Sequence, residues 1–127
     1  MEKINYKNTT IAIRLKRLKD GAVPLTNPNE PLQVLSHKRE KGKYTKAHIH
    51  IFKKRITQKL QECLIMIKGK IKIDLYGPDK KLFRSIYLSA GEVVIFMNGG
   101  HAVRIVEDCE LIEVKNGPFV DDKFLLE

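Results

Sequence analysis

Two histidines stand two residues apart in the stretch Gly42-Lys43-Tyr44-Thr45-Lys46-Ala47-His48-Ile49-His50. On an extended strand this spacing sends both side chains to one face. Neutral imidazole is the commonest protein ligand for Zn, Fe, Ni and Cu, so such a face is half of a metal site. Lys38, Lys41, Lys43 and Lys46 make the neighbourhood basic, so the histidines are not there simply to balance acid. Downstream, Glu62 opens an apolar run seven residues before Gly69, and His101 follows Asn98-Gly99-Gly100 at the head of an alternating segment. Two histidines, a carboxylate and a third histidine from three strands suit a divalent first-row metal with positions left open for water or substrate.

The elements that must position these residues read as strands. Ile11, Ile13 and Leu15 alternate with Ala12, Arg14 and Lys16, the pattern of a half-buried strand. Residues 20–31 hold three prolines and a glycine and read as a loop. Leu32 to Ser36 is short and extended, and Gly42 opens a long strand through the histidines to about Lys53. Glu62 to Ile67 and Ile71 to Leu75 read as two strands joined by a tight turn at Lys68-Gly69-Lys70. A second turn at 76–80 leads to Leu82–Leu88, Val93–Phe96, Ala102–Val106 and Glu110–Lys115. Gly117-Pro118 ends the sheet region, and Asp121 to Glu127 forms a short tail. No segment carries a convincing helical period. About nine short strands with turns at this frequency predict an all-β sandwich or barrel.

These residues resemble the cupins. The first cupin motif is a glycine, five residues, His-x-His, a short gap, a glutamate, six residues and a glycine; Gly42, His48, His50, Glu62 and Gly69 follow it. The gap here is eleven residues, longer than the family's usual three or four, which reads as a longer hairpin loop around Lys53 to Lys59. In the second motif Gly91 and the five residues after it fit, Met97 replaces a proline, and His101 arrives one residue early. The resemblance covers about residues 32–115. It implies a double-stranded β-helix, the cupin-type jelly-roll barrel, with His48, His50, Glu62 and His101 as ligands of one divalent transition metal per subunit: Fe, Zn, Ni or Mn. The chain then divides into an N-terminal strand and loop (1–31), a barrel core (about 32–116) and a tail (117–127), all within one domain.

Strand parity extends the pocket. If His48 and His50 point inward, Tyr44, Lys46 and Phe52 share their face, and Tyr44 and Lys46 become candidates for holding an anionic substrate. Ala47, Ile49 and Ile51 then lie on the opposite face and need a cover, from the N-terminal strand or a second subunit. The resemblance also points to a homodimer. Tyr44 and Tyr76 are the only acid–base candidates in view, and no catalytic residue is singled out. His37, in a basic segment, reads as a solvated residue. Cys63 has the opposite parity to Glu62 and reads as a small buried apolar residue. Cys109, between Asp108 and Glu110, sits where a thiolate is disfavoured.

Composition bounds what the pocket serves. The 127 residues carry a net charge of +9. Residues 1–60 hold 15 Lys/Arg against 4 Asp/Glu, and residues 61–127 hold 9 against 11. A basic half suits an anionic small molecule such as a phosphate or sugar nucleotide. Without a basic helix or a row of stacking aromatics, nucleic acid is not the expected partner. No run of about 18 apolar residues is present, so no membrane span is expected. Two cysteines and no apolar leader point to reduced thiols in the cytoplasm. Stretches 98–101 and 113–119 look like those of small bacterial cupins linked to surface-polysaccharide and sugar-nucleotide metabolism. The expected function is metal-dependent isomerase, epimerase or dioxygenase chemistry on a small anionic or sugar-type substrate. The alternative is a non-catalytic sugar- or metal-binding module.

Overall fold

A computed structural model describes residues Met1–Glu127. The chain folds entirely into antiparallel strands and irregular segments: β1 (Glu2–Tyr6), β2 (Thr9–Leu15), β3 (Gly21–Pro24), β4 (Leu35–Lys38), β5 (Glu62–Tyr76), β6 (Leu82–Ser89), β7 (Val93–Phe96) and β8 (Gly100–Lys115). No helix is long and apolar enough to cross a membrane. The main sheet runs β1-β2-β7-β5-β6, with β8 paired to β5 alone, while β3 and β4 form a separate two-stranded sheet.

The long β5–β8 ladder shapes the molecule. Glu62 lies opposite Lys115 at one end and Leu75 opposite His101 near the other. In a straight ladder, Glu62 and His101 would be roughly 40 Å apart. Their side chains are instead 3.3 Å apart. The ladder therefore curls back on itself, and its register slips between Met66 and Ile71 mark the bend. Gly69 sits there with φ +86, and a Cβ on it would lie 2.2 Å from the Asp108 carbonyl oxygen. Only a glycine allows both the backbone angle and the approach of β8.

This changes the reading of Lys68-Gly69-Lys70. It is not a hairpin turn between two paired strands. The halves of β5 never pair with each other; residues 62–65 pair with β7, and residues 70–76 with β6. The glycine bends one continuous strand, and the two segments expected at 102–106 and 110–115 form one strand, β8, that follows β5 around the bend. Two further corrections fall in the first half. Gly21–Pro24, inside the expected loop, forms β3 on β4. The strand expected from Gly42 to Lys53 is absent, and residues 39–60 are exposed without regular structure. Strands exist by pairing, and this arm, crowded with like charge, lies against no strand edge.

Two apolar clusters line the curled sheet. Ile4, Ile11, Leu64, Met66, Ile71 and Ile73 belong to the larger, and Ile13, Leu25, Cys63, Ile95 and Met97 to the smaller. The alternation Cys63 in one cluster, Leu64 in the other, follows from the two-residue period of β5. Burial is modest, with 24 of 127 residues enclosed. The shape is a half-barrel that leaves β8 open on its far side.

Candidate functional site

The curl brings three element ends together. Glu62 begins β5, Phe96 ends β7, and His101 is the second residue of β8. Glu62 lies opposite Phe96 in the β5–β7 ladder. The His101 ring stacks on Phe96 with centroids 3.7 Å apart and planes 4° from parallel. Stacking holds the imidazole so that Nε2 is 3.3 Å from Glu62 Oε2. The bond to His101 is the main reason the Glu62 carboxyl sits below the usual carboxylate range; burial works against it, and Lys115 helps from further away. An imidazole held against a carboxylate at this distance has the geometry of an acid–base pair.

A cavity of about 1100 Å³ opens over this pair. Its lining includes Glu62, Tyr76, His101, Lys115, Asn116 and residues 117–127 of the tail. Lys115 supplies a cation and Tyr76 a phenol. The volume lies at the upper end of small-molecule sites, which run to about 1,000 Å³.

The root of the arm is fastened beside the cavity. Asn116 Oδ1 accepts from the Gln61 amide at 2.8 Å, and Asn116 Nδ2 donates to the Lys59 carbonyl at 3.0 Å. Lys59 Nζ donates to Asn98 Oδ1 at 2.7 Å. Gln61 itself is fully buried; its amide accepts from the Leu32 N–H and donates to Glu30. Sequence reasoning passed over Gln61, Phe96 and Lys115. Phe96 ends a plain apolar run, and nothing local marks it as a platform for an imidazole 5 residues away.

Of the four expected metal ligands, Glu62 and His101 meet. His48 and His50 do not join them. Both are exposed on the arm, with His48 Nδ1 2.7 Å from the Lys46 carbonyl oxygen and the two rings edge to face at 5.1 Å. No group of three or more His, Cys, Asp or Glu side chains converges on a common point. As placed, Glu62 and His101 bring two donors to this point. Tyr44 and Lys46 are likewise exposed on the arm and do not line the cavity.

No protein-family model, curated protein or solved structure matches this chain. The site is therefore read from its own chemistry. Cys63 is buried as expected, and burial pushes its thiol up to about 11. It has no part in the cavity.

Proposed function

We propose that this protein is a cupin-like jelly-roll module that binds a small anionic, sugar-type molecule over the Glu62–His101 pair and moves a proton on it. The observation that supports this is the stacked imidazole 3.3 Å from a partly buried carboxylate, inside a cavity that also holds Lys115. Lys115 would receive a phosphate or carboxylate. His101, oriented by Phe96 and Glu62, would exchange a proton at a carbon next to a carbonyl, the step shared by isomerases and epimerases. The non-catalytic alternative uses the same contacts without turnover.

Hexose phosphates and nucleoside-diphosphate sugars, screened by thermal shift, test the binding step. A stabilising ligand whose effect disappears in His101→Ala and Lys115→Ala is the expected result. Deuterium uptake by that ligand from heavy water then separates enzyme from binding module. If no ligand of this class stabilises the protein, the reading is wrong.

Metal binding is a separate proposal, because it requires His48 and His50 to reach the pair. Metal analysis of protein purified without a metal-binding tag, beside His48→Ala/His50→Ala, tests it. Equal, near-zero content of Fe, Zn, Ni and Mn in both would remove the metal.

A further inference from the structure

β8 presents a sixteen-residue strand paired on one side only. An open edge of that length is a template for another strand. Its side chains are apolar enough to matter: Ile105 is 60% exposed, Val106 50% and Ile112 52%. The arm shows the complementary deficit. Ile49, Phe52 and Ile56 are exposed by 86%, 96% and 72%, and the arm pairs with no strand. Extended, it would carry Ala47, Ile49 and Ile51 on one face and His48, His50 and Phe52 on the other. A strand with such residues on both faces needs cover on both sides. The edge of its own open half-barrel offers cover on one.

Charge identifies the occupant. Residues 37–60 carry nine Lys/Arg and one Glu. Residues 100–127, which are β8 and the tail, carry three Lys/Arg and seven Asp/Glu. Two segments of opposite sign, each with exposed apolar side chains, lie on one chain. The arm does not pair with its own β8, so a second copy would supply both the cover and the counter-charge. Extended, sixteen arm residues from Lys41 to Ile56 span about 50 Å, the length of β8. The root at Gln61 and Asn116 stays fixed while the arm reaches outward.

We propose that the arm of one copy adds as a strand to the β8 edge of a second copy, each giving and receiving one arm in a two-fold dimer. Backbone pairing supplies affinity, and the opposed charges set orientation and speed of encounter. Arms are exchanged between copies, so neither edge remains open.

Charge reversal in two separate proteins tests the exchange. One carries Lys41→Glu, Lys43→Glu, Lys46→Glu, Lys53→Glu, Lys54→Glu and Arg55→Glu, which turn arm residues 41–56 from +6 to −6; the other carries Glu107→Lys, Asp108→Lys and Glu110→Lys, which turn residues 100–115 from −2 to +4. Each alone opposes like charges across the interface. Mixed in equal amounts, every arm meets a β8 of opposite sign. By sedimentation at about 100 µM, wild type should have twice the chain mass, each variant one chain mass, and the mixture should return to twice. Circular dichroism confirms that each variant is folded. Ile49→Pro/Ile51→Pro, in a segment outside every strand of the monomer, gives an uncharged control that should also be monomeric. A wild-type monomer at this concentration, or a mixture of folded variants that stays monomeric, overturns the proposal.

Discussion

Glu62 and His101 were both legible in the sequence, one opening an apolar run and the other following a glycine turn at the head of an alternating segment, but Phe96 and Lys115 beside them were not. The sequence placed them with two histidines twelve or more positions away from Glu62; the fold places them with Phe96 and Lys115. An imidazole stacked on a ring leaves no spacing signature, since the two residues come from different strands. The bond to His101 lowers the Glu62 pKa from its ordinary 4.5. A depressed carboxylate contributes stability that is complete above the ordinary value and is lost as pH falls through the folded one. Carbon-detected NMR should therefore find the Glu62 carboxyl titrating below 4.5, and His101→Ala should move its midpoint upward. A midpoint unchanged by His101→Ala would mean that the pair is not formed in solution. Cys63 gives a second check at this scale. Its thiol, raised to about 11 by burial, should resist labelling at mildly alkaline pH in the folded protein, while half-buried Cys109 reacts first. Both should react at similar rates in denaturant.

At the scale of elements, period-two patterning located most strands, because one face of each is buried and the alternation survives. It misjudged what glycine does between them. At Gly69 the same residue type that closes a hairpin instead bends a fifteen-residue strand, and the difference lies in β8, whose Asp108 carbonyl would be 2.2 Å from an added Cβ. Long-range approach of this kind has no local signal. Gly91 provides the contrast, since its φ is also positive, +82, but nothing lies within 4 Å of an added Cβ. Gly91→Ala should cost about 1–2 kcal/mol from backbone strain alone. Gly69→Ala adds a collision between two backbones and should cost at least about 3 kcal/mol. Thermal or urea unfolding of the two variants measures the gap. Equal losses would show that β8 does not press against the bend. The arm was the larger misreading. Its alternating residues describe a strand well, yet a pattern specifies only what a strand would bury, and pairing needs an edge to receive it.

For the molecule as a whole, the all-β class followed from strand number and turn spacing, and the curled sheet agrees with it at the level of a half-barrel. The remaining half is where the charge asymmetry becomes physical. A basic, exposed arm and an acidic strand with one open edge lie on one chain, and the proposed exchange would have a second copy close both. Under that exchange the accessibility of the arm depends on concentration. Trypsin cleaves after Lys and Arg where backbone is exposed and unpaired, and residues 38–59 offer nine such positions. Lys123, in the exposed tail, serves as an internal reference within the same digest. In dilute solution the first cuts should fall in the arm. As protein concentration rises, cutting in the arm should slow relative to cutting after Lys123, because pairing shields the arm and leaves the tail site as it was. High salt, which screens opposed charges on exposed segments, should restore arm cleavage at the higher concentration. Mass spectrometry of the early fragments reads the ratio directly. A ratio independent of both concentration and salt would mean that the arm stays unpaired in solution, and that β8 keeps its edge open.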